Sequence, residues 1–287
     1  MKKYIKYFEI AVSVAISLGF IYLFYKVIGF NTFLRFLTEI SPVNLILASG
    51  LYVFSYITRA FRLKITLNIK NFKKLFKITS FNTVFNIFLP FRTGEVSFFY
   101  MLKKENVPFS ESAVSFLTVR MFDAISLFTL FAISYLILKG YFLYSILLFF
   151  LMPFSFYLFK GIISVIKIEK LKSFSKETLH LKNLIVLYTL SILTFVSKFT
   201  GFFFVLPENL KLSFQQAFFA SAAGDLTTVL PIHGIAGIGT YEGGFAGVLI
   251  FLGVDRDTSI LASVFVHVFI LLGAATVAGF CYLFLKD

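Results

Sequence analysis

Six stretches of this chain, residues 8–29, 42–60, 112–138, 141–160, 184–206 and 258–284, are mostly apolar and each about 20 residues or longer, enough to cross the ~30 Å hydrocarbon core of a bilayer as a helix. A chain that carries six such segments has little choice of fold, because in lipid every backbone amide and carbonyl must be satisfied within its own segment. The expectation is an all-α, polytopic integral membrane protein. Composition agrees: 59% of the 287 residues are hydrophobic and only 14% are charged, which excludes a soluble globular domain. The first stretch follows Met-Lys-Lys-Tyr-Ile-Lys and is too long for the apolar region of a signal peptide, so it reads as a retained helix. The single cysteine, Cys281, excludes an intrachain disulfide and a cysteine-based metal cluster.

The formal charge of +13 points to a nucleic-acid partner only if its location is ignored. Lys and Arg gather at Lys2, Lys3 and Lys6, in a run from Arg59 to Lys77, at Lys103 and Lys104, and between Lys160 and Lys182. Cytoplasmic loops are enriched in these residues. Placing the clusters inside leaves only Lys26, Arg35, Lys139, Lys211 and Arg256 outside, and puts both termini in the cytoplasm of a multi-pass cell-membrane protein. The charge is then a topology signal that meets anionic lipid head groups, and no nucleic-acid partner is implied.

This topology forces residues 75–104 to enter the membrane and return, since both ends are cytoplasmic. The first limb, 75–89, is about 22 Å long at 1.5 Å per residue, too short to span. Pro90 ends it and Gly94 permits a turn. The pattern recurs at 215–253, which starts and ends outside and breaks at Pro231 and a run of glycines. Two re-entrant hairpins inserted from opposite faces are expected within one transmembrane domain, 1–287. Leu89-Pro90 matches Leu230-Pro231, and Glu95 precedes Arg120 by the same 25 residues that separate Glu242 from His267. Such correspondence describes an inverted repeat, whose broken helices build a transport site near the bilayer midplane.

Ionisable side chains at membrane depth are costly, about 2.5–3.5 kcal/mol each on insertion scales, and so mark function. Arg92 and Glu95 lie at the first hairpin's turn, where a guanidinium beside free amides suits a phosphate. Arg120 and Asp123 share a helix face, as a substrate site or as a self-neutralising pair. In the second half the candidates are Asp225, His233, Glu242 and His267, with Lys198 in mid-helix. Glu242 also suits a helix N-terminus, and Lys198 pairs with Asp225 or Glu242. No P-loop, Gly-x-Ser-x-Gly, His-Glu-x-x-His or dinucleotide fingerprint occurs, so no catalytic residue, metal site or cofactor is expected.

Asn86-Ile-Phe-Leu-Pro-Phe-Arg-Thr-Gly-Glu95, Ser110 to Ala113, Val119-Arg-Met-Phe-Asp123, Leu230-Pro231 with Gly237-Ile-Gly-Thr-Tyr-Glu242, and the arginine pair of Arg59-Ala-Phe-Arg62 resemble the flippase-like membrane region of bacterial lysylphosphatidylglycerol synthases. The resemblance spans nearly the whole chain. It implies movement of a polar, phosphate-bearing lipid, such as a phospholipid, an aminoacyl-phospholipid or a polyprenyl phosphate, between leaflets. Arg62, Arg92 and Arg120 would take the phosphate, and Glu95, Asp123, His233 and Glu242 would complete the substrate site. Lys198, Asp225 and His267 would serve charge pairing or coupling. The stand-alone form, without the synthases' aminoacyl transferase domain, is expected. His233 departs from the small hydroxyl residue common at that place in the family, which leaves the head group open. Membrane lipids are the expected partners, with a homo-oligomer or a lipid-modifying enzyme left open. An ion-coupled transporter of a small soluble anion and a membrane partner of a lipid-modifying transferase are the rival readings.

Overall fold

Apolar runs of this length can satisfy their backbone only as helices, and all regular structure among the described residues is helical. The computed structural model describes residues 2–67, 69–89, 94–152, 180–228 and 234–285. In chain order the helices are α1 (Lys2–Val27), α2 (Phe30–Leu37), α3 (Pro42–Thr66), α4 (Phe72–Phe88), α5 (Glu95–Lys104), α6 (Phe109–Leu138), α7 (Phe142–Leu151), α8 (Leu181–Val205), α9 (Phe214–Thr227), α10 (Thr240–Phe251) and α11 (Arg256–Phe284). Four of them, α3, α6, α8 and α11, have 25, 30, 25 and 29 residues and are long and apolar enough to cross a membrane. They coincide with four of the six expected spans. α1 covers the 8–29 stretch as far as Val27, and of the 141–160 stretch only residues 141–152, with α7, fall among the described residues.

Local chemistry sets the helix ends. Pro42 enters α3 in its first turn, where a missing amide costs nothing. Ser213 and Gln216 form a reciprocal capping box at the start of α9. Asp255 caps α11 by accepting from the Thr258 amide at 2.8 Å, a bond that also holds its carboxyl below the ordinary carboxylate range.

The two expected hairpin segments fold as pairs of short helices. The first limb, expected at 75–89, is α4, which begins three residues earlier because the Asn71 side chain accepts from the Lys73 amide. It packs against α5. Gly94 starts α5 so close to α4 that a Cβ there would overlap the backbone of Phe85 and Asn86. The second pair, α9 and α10, is joined through a tight turn at Ile235–Gly237 in which Ala236, Gly237 and Gly239 take left-handed φ of 53°, 82° and 89°. An alanine in that region is strained, so the turn must be held by its surroundings.

The spine is the α3–α8 pair, the most extensive contact between two helices. Small residues permit it: a Cβ on Gly201 would lie 3.1 Å from the Ala48 carbonyl oxygen. Thr58 and Thr194 share a hydroxyl hydrogen bond of 2.7 Å across the same seam. Around the spine, α6 packs on α8 and α9, and α11 packs on α4 and α10. Large apolar side chains such as Phe128, Phe150, Leu272 and Phe280 point outward, an arrangement that suits hydrocarbon and would be costly in water. The chain thus runs twice through one order: long helix, short helical pair, long helix.

Candidate functional site

A cavity of about 440 Å³ lies where α3, α6, α8, α11 and both short helical pairs converge. Its volume is in the range of small-molecule sites. A second cavity of about 60 Å³ shares its Arg59, Asn82, Thr83, Arg120 and Asp123 walls and reaches Arg62. Of the ionisable residues that the sequence places at membrane depth, Glu95, Arg120, Asp123, Lys198, Asp225 and His267 line the larger space.

They meet as ion pairs. Arg62, 1% exposed, donates through Nη1 to Asp123 Oδ1 and to Ser191 Oγ at 2.8 Å, which joins α3 to α6 and α8. Arg120 Nη2 lies 3.1 Å from Glu95 Oε1 and joins α6 to the start of α5. Lys198 Nζ lies 2.6 Å from Asp225 Oδ2 and joins α8 to α9. His267 Nδ1 lies 2.6 Å from Glu242 Oε1 and joins α11 to the start of α10. The equal spacing seen in the sequence therefore has a physical content. Both 25-residue intervals, Glu95 to Arg120 and Glu242 to His267, close as side-chain contacts between a short helix and the long helix that follows it.

Arg120 and Asp123, neighbours on one face of α6, are each bridged to another element. Lys198 takes Asp225 and not Glu242. Glu242 is the helix cap expected of it, since Oε2 accepts from the Gly239 amide at 2.7 Å, while Oε1 faces His267. Arg92 and His233 lie outside the described residues.

The side chain that the sequence reading passed over is Arg59. It lines both cavities, yet among the described residues it is in no ion pair, and its buried Nε has no hydrogen-bond partner. A cation held at depth without a partner is unstable unless something anionic visits. The signal was available: Tyr52, Ser55, Tyr56 and Arg59 recur at helical spacing along an otherwise apolar segment, and all four line the larger cavity. Tyr52 and Tyr56 hydroxyls lie 3.3 Å apart on that wall. Among the described residues no group of three His, Cys, Asp or Glu side chains converges as a metal would need.

Chemically, the cavity is a polar chamber set among apolar helices in which, among the described residues, the acids are paired and the Arg59 guanidinium is in no ion pair. It can accept an anionic group such as a phosphate beside Arg59. No curated protein and no solved structure matches the chain. The model of one family, described as the lysylphosphatidylglycerol synthase TM region, matches residues 10–278, a span that takes in both short helical pairs and every ion pair described above. The chain is a multi-pass membrane protein that belongs to the lysylphosphatidylglycerol synthase TM-region family.

Proposed function

We propose that this protein is a flippase-like lipid transporter, not an enzyme, that moves a phosphate-bearing lipid between the leaflets of the cell membrane. The observation that carries this reading is Arg59, a cation without an ion-pair partner among the described residues, in a cavity whose acids are each matched with a base. A lipid phosphate supplies the missing negative charge while the acyl chains stay among the outward apolar side chains. Arg120 and Lys198 line the same cavity and add positive potential. Arg62, held by Asp123 and Ser191, positions Asp123. In this reading the chain is one transmembrane domain with six spans and cytoplasmic termini, and the α4–α5 and α9–α10 pairs are re-entrant hairpins inserted from opposite faces.

The test is reconstitution in liposomes with a fluorescent phospholipid and, separately, a polyprenyl phosphate. Faster movement of either than in empty vesicles, lost in Arg59→Ala, supports the reading. No movement of either lipid, or an Arg59→Ala variant that transports as well as the wild type, rejects it. Uptake of a soluble anion without lipid movement would favour the ion-coupled alternative.

A further inference from the structure

The two 25-residue latches differ in one respect. Arg120, which holds α5 through Glu95, is charged at every physiological pH, whereas His267, which holds α10 through Glu242, is a group that can lose its proton.

Counting protons at His267 shows what that difference does. Its Nδ1 lies 2.6 Å from Glu242 Oε1 and its Nε2 lies 3.0 Å from the Ala236 carbonyl oxygen. A carbonyl oxygen only accepts, so Nε2 must carry hydrogen. A second hydrogen must then lie between Nδ1 and Oε1, on whichever atom holds it, because a carboxylate and a bare ring nitrogen would repel at that distance. Both contacts exist together only while the His267–Glu242 pair holds one extra proton. When that proton leaves, the imidazole keeps a single N–H, and either the Glu242 contact or the Ala236 contact is lost.

What the pair holds is a wall of the cavity. Ala236 sits at a left-handed φ of 53° in the Ile235–Gly237 turn, and Ala236, Gly237 and His267 all line the larger cavity. On the far side the turn is tied to α1, where the Ile235 amide donates to Ser17 Oγ at 2.7 Å. A strained turn with two tethers, one of them titratable, is the kind of element that one proton can switch. The other titratable groups of the cavity on the elements around His267 are Tyr241 on α10, Asp225 on α9 with its partner Lys198 on α8, and Tyr52, Tyr56 and Arg59 on α3, where the Tyr52 hydroxyl donates to the Ile270 carbonyl oxygen of α11. Those from α4 are amides and a hydroxyl, Asn82, Asn86 and Thr83. An anion that docks beside Arg59 raises the negative potential of this chamber and so favours the protonated pair, which links lipid occupancy to proton occupancy.

We propose that His267 and Glu242 form a proton-binding site that couples lipid movement to the transmembrane proton gradient through the Ile235–Gly237 turn, while the Arg120–Glu95 latch stays fixed. The coupling rests on the lipid-transport reading, and two measurements separate the two. The first needs no transport. The chain has three histidines, so 15N-imidazole spectra of the protein in nanodiscs, assigned with His267→Gln, report the ring's protonation directly. A His267 ring that carries hydrogen on both nitrogens, or on Nε2 with Glu242 protonated, and that loses one proton as the pH is raised, supports the site. A ring that keeps one hydrogen beside an ionised Glu242 throughout overturns it.

The second measurement is movement of fluorescent phosphatidylglycerol in proteoliposomes with an imposed pH difference. For one coupled proton the wild-type rate should change by up to about tenfold per pH unit, and His267→Arg, which copies the fixed latch, should flatten that response. Lipid movement that ignores the gradient in the wild type, or an undiminished response in His267→Arg, rejects the coupling and leaves the lipid reading standing. Absence of lipid movement rejects the lipid reading, and the coupling falls with it.

Discussion

Lys198 Nζ lies 2.6 Å from Asp225 Oδ2, so a lysine within the long helix α8 is neutralised by the aspartate two residues before the end of α9. Both side chains are nearly buried. Removal of one partner strands the other at depth, which costs about 3–5 kcal/mol, whereas removal of both with apolar replacements is close to neutral. Lys198→Met alone should therefore lower the unfolding midpoint of the detergent-solubilised protein sharply. Lys198→Met with Asp225→Leu should recover most of the loss, and a double-mutant cycle with no coupling energy would show that the pair does not act as a unit.

Arg59 predicts the opposite balance. With no ion pair to lose among the described residues and an unpaired buried charge removed, Arg59→Gln should leave the protein as stable as the wild type or raise its unfolding midpoint. The same change should weaken the binding of an anionic phospholipid by roughly 10- to 100-fold, the worth of a charged hydrogen bond of about 1.5–3 kcal/mol. Melting curves with and without added lipid measure both. Equal stabilisation of wild type and variant by the lipid would place the phosphate elsewhere.

Glycine positions separate close approach from free space. Gly94→Ala drives a methyl group into the backbone of Phe85 and Asn86, which cannot move aside without parting α4 from α5. A loss of about 1–3 kcal/mol or more is expected. Gly243, inside α10, has nothing within 4 Å of a built Cβ, so Gly243→Ala should be neutral or stabilising by up to about 1 kcal/mol. Thermal scans of the two variants side by side make the comparison, and equal midpoints would contradict the packing described.

The α3–α8 seam gives a fourth expectation. Gly201→Val adds bulk where a Cβ already meets the Ala48 carbonyl oxygen at 3.1 Å, so the helices must separate and the Thr58–Thr194 hydrogen bond of 2.7 Å must break. Stability should fall by about 1–3 kcal/mol. The separation is measurable as a longer distance between spin labels at the exposed Phe54 and Leu193 on the two helices, and an unchanged distance would refute it.

Much of this was legible in the sequence because membranes restrict the options. Apolar length found α3, α6, α8 and α11, and Leu89-Pro90 with Gly94 marked the break between α4 and α5, since proline cannot continue a helix. The equal spacing of Glu95–Arg120 and Glu242–His267 survived as geometry because each pair closes the same unit, a short helix against its successor. What sequence reasoning could not supply was partner choice. Arg120 and Asp123 sit three residues apart on one helix and reach to different elements, a matter of tertiary distance that periodicity does not carry. Arg59 was hidden for a related reason: counted with the basic run that follows α3's apolar stretch, it read as topology, while its helical register with Tyr52 and Tyr56 aimed it into the cavity.

The burial of Arg62 also bears on biogenesis. Its partner Asp123 lies 61 residues later in the chain, whereas the other three latches close over 25 to 27 residues. A ribosome extends the chain by roughly 5–20 residues each second, so for several seconds α3 exists with its guanidinium uncompensated. If Arg62 lies at membrane depth in that interval it costs up to about 2.5–3.5 kcal/mol on insertion scales, a cost that its partner on α6 removes only once α6 has emerged. The longest wait among the four contacts is thus set by the distance between one arginine and one aspartate in the chain.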